Sequence, residues 1–157
     1  MPIRLNALKR KDSNFEPQTL GEHVRKRRLE LGLTQKQAAE AFGVSPWTVL
    51  NWEKDHTEPP IESMPAIIRF LDYDPFPEPK SLAERLLAKR RAMGWLIKEA
   101  ARQLGIDPAT WGDWESGRLM LCRRHRELIA GLLGLPFMVI HREMETRWKQ
   151  SHTKISD

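Results

Sequence analysis

The sequence has a single cysteine, Cys122, and no long run of apolar residues. One thiol cannot form an internal disulfide, and it excludes a cluster of thiolate metal ligands. A membrane-spanning helix would need about 18 consecutive apolar residues, so no membrane partner is expected. The N-terminal residues are basic but are not followed by an apolar segment, so we expect no signal peptide. These absences predict a cytoplasmic protein in a reducing compartment.

Motifs of enzymes are also missing. The five histidines are scattered, and none stands in a metal-ligand spacing such as H-E-x-x-H. No glycine-rich phosphate loop, G-x-S-x-G motif or paired-carboxylate motif is present. We therefore expect no catalytic residue, no metal and no cofactor. The basic residues that follow Cys122 make a redox switch one interpretation of this thiol, and an inert thiol is the other.

Charge is abundant and unevenly distributed. The chain has 26 Lys and Arg against 21 Asp and Glu, a net charge of +5. Residues 18–72 carry −1, whereas residues 1–17 carry +2 and residues 80–134 carry +5. The excess of positive charge suggests a polyanionic partner.

An internal repeat organises the sequence. Shifting the chain by 62 residues aligns residues 20–53 with residues 82–115 without a gap, and 12 of the 34 aligned pairs are identical. The identities include the tryptophan and glutamate at the end of each copy. The chain therefore contains two copies of one small unit.

Each copy has the signals of short helices. Thr19, Thr34 and Ser45 are N-cap residues, and Gly32 and Gly43 mark helix ends. Similar signals recur in the second copy, a further helix is expected from about 123 to 134, and no strand pattern is present. The predicted class is all-α. The predicted organisation is a basic arm at 1–17, a first domain at 18–72, a Pro-rich linker at 73–80, a second domain at 81–134, and a C-terminal helix and tail at 135–157.

The segment LTQKQAAEAFGVSPWTVLNWEKDHTEPP resembles the Cro/repressor-type (Xre) helix-turn-helix family of bacterial and phage DNA-binding proteins. The resemblance is close over residues 20–71 and looser over residues 82–133. It rests on the TQ pair, the two alanines, the GVS turn and the WE pair. It implies two tandem lambda-repressor-like helical bundles, each with a tight turn between its second and third helices.

The resemblance also implies structural ion pairs, Arg28 with Glu53 and Arg90 with Glu115. Val24, Leu31, Leu33, Phe42, Val44, Val49 and Trp52 are predicted to form the first core. Neither ion pair requires a catalytic role.

The candidate DNA-reading residues lie away from this core. They are Gln35, Pro46, Trp47, Thr48 and Asn51, with Ser45, Thr48 and Lys54 suited to phosphate contacts. Asn51 can bond an adenine edge with two hydrogen bonds. Trp47 can press on a thymine methyl or a sugar, or it can pack against the linker or a partner.

The second copy departs from the family at these positions. Leu96 and Ile97 replace Thr34 and Gln35, Asp107 replaces Ser45, Ala109 replaces Trp47, and Asp113 replaces Asn51. Two acids on the groove face are expected to repel phosphate. One interpretation is that this copy grips the DNA backbone through arginines, among them Arg118, Arg123 and Arg124, or reads a different half-site. The other is that it binds a protein through Trp95, Leu96 and Ile97.

Both termini carry further predictions. The basic residues Lys9, Arg10 and Lys11 resemble arms that enter a minor groove or contact phosphates, and a solvated tail is the alternative. Near the C-terminus, Phe137, Ile140, Met144 and Trp148 have helical spacing. This stripe is expected to pack on its own domain or to form a homodimer contact.

These features predict a sequence-specific, nucleoid-associated transcriptional regulator that binds double-stranded DNA. The alternative is an antitoxin-like or adaptor protein whose second domain binds a protein partner.

Overall fold

Nine α-helices make up the part of the chain that the computed structural model describes, residues 14–118 and 120–153. They are α1 (Leu20–Glu30), α2 (Gln35–Phe42), α3 (Pro46–Glu53), α4 (Met64–Leu71), α5 (Leu82–Met93), α6 (Ile97–Leu104), α7 (Pro108–Glu115), α8 (Arg123–Leu133) and α9 (Phe137–Thr153). A 3₁₀ turn, Ile61–Ser63, precedes α4. No strand occurs in these residues, and the predicted all-α class is confirmed.

Several helices begin or end at the residues that local signals indicated. Thr19 and Thr34 accept hydrogen bonds from the backbone amides of Glu22 and Gln37, and each forms a reciprocal capping box. Gly43 ends α2 in the left-handed conformation at φ 68°, which glycine adopts without steric cost. These helix boundaries therefore follow from short-range chemistry.

The chain divides into two compact units, Met1–Pro77 and Glu78–Asp157, called here the first and second unit. The core of the first unit is formed by side chains of α1 to α4: Val24, Ala38, Ala39, Phe42, Val49, Trp52, Ile67 and Leu71. The buried small residues Ala38 and Ala39 lie where α2 packs against the rest of this core.

Leu31 was expected in this core, and that prediction is wrong. The leucine is 42 % exposed. Helix α1 ends at Glu30, and Leu31 is its C-cap, with its amide bonded to the carbonyl of Arg27. The chain then turns at Gly32, with φ 68°, so Leu31 no longer continues the apolar stripe of the helix.

The glycine at position 21 determines how closely α1 approaches α3. A Cβ atom at Gly21 would lie 1.8 Å from the carbonyl oxygen of Trp52. Backbone atoms cannot yield as a flexible side chain can, so only glycine fits here. The crossing of α1 over the end of α3 depends on this missing side chain.

The second unit has its own core, centred on the fully buried Trp111. Its buried members are Leu82, Leu86, Ala100, Ala101, Trp111, Trp114, Leu121, Ile129, Ala130, Ile140 and Met144.

Helix α9 contributes to this core and to a helix terminus. Ile140 and Met144 are buried, so the predicted stripe packs on its own unit at these positions, whereas Trp148 is about half exposed. The Glu143 carboxylate accepts a hydrogen bond from the backbone amide of Leu82. An acidic side chain at this place satisfies one of the free amides of the first turn of α5.

Candidate nucleic-acid interface

A buried ion pair fixes the geometry of the first unit. Arg28 Nε lies 2.5 Å from Glu53 Oε1, and Arg28 Nη2 donates to Glu53 Oε2 at 2.8 Å. The remaining terminal nitrogen of Arg28 donates to the carbonyl of Leu33 at 2.9 Å. The guanidinium thus joins α1, the α1–α2 turn and the end of α3. A bidentate pair of this kind is both strong and geometrically specific.

Gln35 is also attached to this ion pair. Its Nε2 donates to Glu53 Oε2 at 3.0 Å, and the residue is half-buried at the first position of α2. Gln35 was predicted to face DNA. The structure commits one of its two amide hydrogens to the Glu53 carboxylate, which leaves the other hydrogen and the carbonyl oxygen for an external partner.

Two hydroxyl groups form hydrogen bonds at the start of α3. Ser45 Oγ accepts from the amide of Thr48 at 3.1 Å and lies 2.9 Å from Thr48 Oγ1. Pro46 is the first residue of the helix, where its missing N–H costs nothing. Ser45 and Thr48 therefore stabilise the start of α3. A phosphate contact would have to use the hydrogen-bonding capacity that remains on their hydroxyl groups.

Helix α3 presents one exposed face, called here the α3 face, formed by Trp47, Leu50, Asn51 and Lys54. Trp47 is 68 % exposed, so it does not pack within the described part of its own unit. Val49 and Trp52 are buried on the opposite side of the helix. The structure thus brings Trp47, Asn51 and Lys54 together.

The sequence interpretation had missed Leu50, which is half-buried between Trp47 and Lys54 along the helix. Its spacing of three residues from Trp47 was the signal that could have identified it.

The second unit contains a matching ion pair, but the neutral side chain that donates to its glutamate is different. Arg90 Nε lies 2.6 Å from Glu115 Oε1, Arg90 Nη2 donates to Oε2 at 3.0 Å, and Nη1 donates to the carbonyl of Trp95 at 3.1 Å. Ile97 occupies the position of Gln35 and cannot donate. Instead Trp111 Nε1 donates to Glu115 Oε1 at 2.7 Å.

The two acids predicted to repel phosphate are both engaged locally. Asp107 caps α7, with its carboxylate accepting from the amide of Ala109 at 2.8 Å. Asp113 Oδ1 lies 3.0 Å from Nε of Arg118. The α7 counterpart of the α3 face consists of Ala109, Gly112, Asp113 and Ser116, so its only charged side chain is paired with an arginine.

The other predicted basic residues have different placements. Arg123 opens α8 and lies 3.7 Å from Glu127, and Arg124 follows it as an exposed residue. Lys9, Arg10 and Lys11 lie outside the described residues.

Cys122 gives no indication of a metal site. It is exposed at the N-cap of α8, with Sγ 3.2 Å from Nδ1 of His125. No group of three or more metal-ligating side chains occurs among residues 14–118 and 120–153. Over the same residues, no helix is long and apolar enough to cross a membrane.

Comparison with known families agrees with the geometry of the first unit. Residues 24–76 match the family described as helix-turn-helix, of the Xre type, whose domains bind DNA. The match spans α2, the turn at Gly43 and α3, and the second unit lies outside it. No curated protein and no solved structure matches the chain. The matched segment is therefore similar to the helix-turn-helix domains of DNA-binding regulators.

Proposed function

We propose that this chain, whose residues 24–76 match a helix-turn-helix family, is a sequence-specific transcriptional regulator that binds double-stranded DNA. The observation that carries the proposal is the α3 face. A largely exposed tryptophan, an asparagine and a lysine lie together on a helix whose other side is held by the buried Arg28–Glu53 pair. A helix anchored in this way can enter a major groove without losing its orientation.

The residues of the α3 face have distinct roles in this proposal. The Asn51 side chain reads an adenine edge through two hydrogen bonds. Trp47, with Leu50 beside it, contacts a thymine methyl or the sugar wall. Lys54, the exposed C-cap of α3, contacts a phosphate. Gln35 contributes its free amide hydrogen to a phosphate or a base edge at the start of α2.

The second unit adds affinity or a second half-site. Its exposed arginines Arg123 and Arg124 supply positive charge, which strengthens binding to DNA irrespective of sequence. Two half-sites on one face of the duplex are about 34 Å apart. Because the exposed residues of α3 and α7 differ, an asymmetric or direct-repeat site is expected. The proposed function requires no catalytic activity, metal or cofactor. The protein binds DNA in the cytoplasm.

The experiment that tests this is selection of bound duplexes from a random DNA library at near-physiological salt. The full chain is compared with its Asn51→Ala variant. The wild type should enrich a defined motif, and the variant should lose preference at one adenine by about 10-fold, within the range for a bidentate base contact.

The matched control is Asn14→Ala, which removes an exposed asparagine outside the helices. Its motif should equal that of the wild type. An Asn51→Ala motif that also equals that of the wild type would show that α3 is not the reading helix. Absence of any enriched sequence would exclude a specific regulator.

The exposed apolar residues Met93 and Ile97 of the second unit favour a second candidate function. They lie on either side of the α5–α6 turn, where the first unit has Leu31 and Gln35. An antitoxin-like or adaptor protein would use this surface for a protein partner. Binding to DNA weakens steeply as salt rises, whereas an apolar protein contact does not, so a salt titration distinguishes the two functions.

A further inference from the structure

The pair formed by Asp113 and Arg118 is held by two separate interactions. Gly117 adopts the left-handed conformation, with φ 71°, directly after α7. The amide of Arg118 then donates to the carbonyl of Asp113 at 2.8 Å, and its side-chain Nε lies 3.0 Å from Asp113 Oδ1. The backbone and the side chain of Arg118 are both directed back to the same residue of α7.

This arrangement leaves the two terminal nitrogens of the guanidinium, Nη1 and Nη2, available for an external ligand. The Arg118 side chain is 73 % exposed, and Asp113 occupies only its Nε. Among the described residues, no other acceptor is bonded to Arg118. The four N–H groups of Nη1 and Nη2 can therefore donate in parallel to a planar ligand with two adjacent acceptors.

Two properties of the site favour a base edge over a phosphate. The Asp–Arg pair is nearly neutral, so it has little of the attraction that draws a free arginine to phosphate. Its neighbours on α7 are the small residues Ala109, Gly112 and Ser116, and a Cβ atom at Gly112 would meet open space. The edge of a base pair can therefore approach the helix closely.

The first unit has the same backbone geometry with different side chains. Asn51 corresponds to Asp113 and His56 to Arg118, and the amide of His56 donates to the carbonyl of Asn51 at 2.9 Å. Both units thus place a residue pair at the same point of the helix-turn-helix. The Asn51 amide suits adenine, whereas the guanidinium of Arg118 suits guanine.

We propose that Asp113 and Arg118 read one G·C base pair in the major groove. Arg118 donates two hydrogen bonds to O6 and N7 of guanine, and the second oxygen of Asp113 accepts from the cytosine amino group. This rests on the proposed function, because it requires α7 to enter a major groove. Of the two roles left open for the second unit, added affinity or a second half-site, it favours base reading at a second half-site.

The test is selection from a random duplex library with four full-length proteins: the wild type, Arg118→Ala, Asp113→Ala and Arg124→Ala. The wild type should enrich a second motif that contains a G·C pair. Arg118→Ala should lower the preference for this pair by about 10-fold. Arg124→Ala removes the same charge from a residue assigned only to backbone contact, so it should lower the affinity for DNA and keep the preference for this pair.

Asp113→Ala separates base reading from charge. The net charge of the variant rises by one, so its overall affinity for DNA should increase. Its preference for the G·C pair should nevertheless fall, because Arg118 is no longer held in position. Thermal unfolding of the variants verifies that each is folded, and both altered side chains are at least partly exposed.

The contrary outcomes are distinct. An unchanged G·C preference in Arg118→Ala overturns the assignment, as does a wild-type selection with one motif that depends on Asn51 and no second motif. Both results leave the first unit as a DNA reader. A wild-type selection without any enriched sequence overturns this inference and the proposed function together.

Discussion

Trp111 donates its indole N–H to the carboxylate of Glu115 from the position that Val49 occupies in the first unit. In the first unit the carboxylate of Glu53 receives its extra hydrogen bond from Gln35 instead. Each unit therefore gives the glutamate of its ion pair one neutral donor besides the arginine, but from a different helix. A carboxylate with little access to water needs such donors. Leaving it without a partner destabilises the protein by more than an average hydrogen bond stabilises it.

The first prediction concerns this indole. Trp111→Phe keeps a large aromatic ring and removes the N–H, so Glu115 loses one donor in a partly buried site. We expect the second unit to be destabilised by about 1–3 kcal/mol. Denaturant unfolding followed by circular dichroism measures the change.

Trp47→Phe provides the control for the removal of an indole, because Trp47 is exposed on α3. Its effect should stay within about 0.5 kcal/mol. Equal stabilities of Trp111→Phe and the wild type would mean that the Trp111 hydrogen bond contributes nothing.

The second prediction concerns Gly21. In Gly21→Ala the new methyl group would overlap the carbonyl of Trp52, so α1 and α3 must separate. Overpacking of this kind typically costs about 1–3 kcal/mol, and a clash with backbone lies at the upper end of that range. The melting temperature of the first unit should fall by about 10 °C or more.

The matched control is Gly131→Ala in α8, where a Cβ atom would meet open space. Alanine is the better helix former, so this variant should gain about 0.5–1 kcal/mol. A Gly21→Ala protein that melts at the wild-type temperature would disprove the close approach of the two helices.

The third prediction is a pH window set by His23 and Tyr73. His23 Nδ1 lies 2.6 Å from the Tyr73 hydroxyl, and the two rings meet edge to face. Burial, followed by the charge of Lys26, lowers the pKa of His23 below 6.5. Burial, followed by the charge of Glu30, raises the pKa of Tyr73 above 10.0. The folded state thus favours the neutral form of both groups.

The sign of the pH dependence follows directly. The contribution of His23 to stability is present above pH 6.5 and is lost as the pH falls through its lowered pKa. That of Tyr73 is present below pH 10.0 and is lost as the pH rises through its raised pKa. The hydrogen bond between the two neutral side chains is therefore most stable between these limits.

Tyr73 is the only tyrosine of the chain, so phenolate absorbance reports its titration alone. The midpoint should lie above 10.0 in the native protein and near 10.0 in denaturant, which serves as the control. Nuclear magnetic resonance should place the native midpoint of His23 below 6.5. Coincident native and denatured midpoints would contradict the packing of Tyr73 against α1.

The helices were predictable because their signals are local. Thr19, Thr34 and Gly43 act within one turn of the chain, where capping and backbone preference decide the boundary. Leu31 was misplaced because helical periodicity was extended one residue beyond the end of α1. A stripe predicts burial only while the helix continues.

The engagement of Gln35 could not be predicted in the same way. Gln35 and Glu53 are 18 residues apart, and their hydrogen bond depends on how α2 crosses α3. The bond from Trp111 to Glu115 spans four residues within one helix, so its spacing was available in the sequence. The turn that brings Arg118 back to Asp113 requires the conformation of Gly117, which sequence alone does not specify.

The hydrogen bond between Glu143 of α9 and the first turn of α5 has a consequence for synthesis on the ribosome. The core of the first unit is complete once Leu71 has been made. The second unit lacks Ile140, Met144 and the Glu143 carboxylate that accepts from the Leu82 amide until α9 emerges. The first unit can therefore fold early during translation. The second unit can complete its core only with its last helix, and until then its apolar side chains are open to aggregation and to proteases.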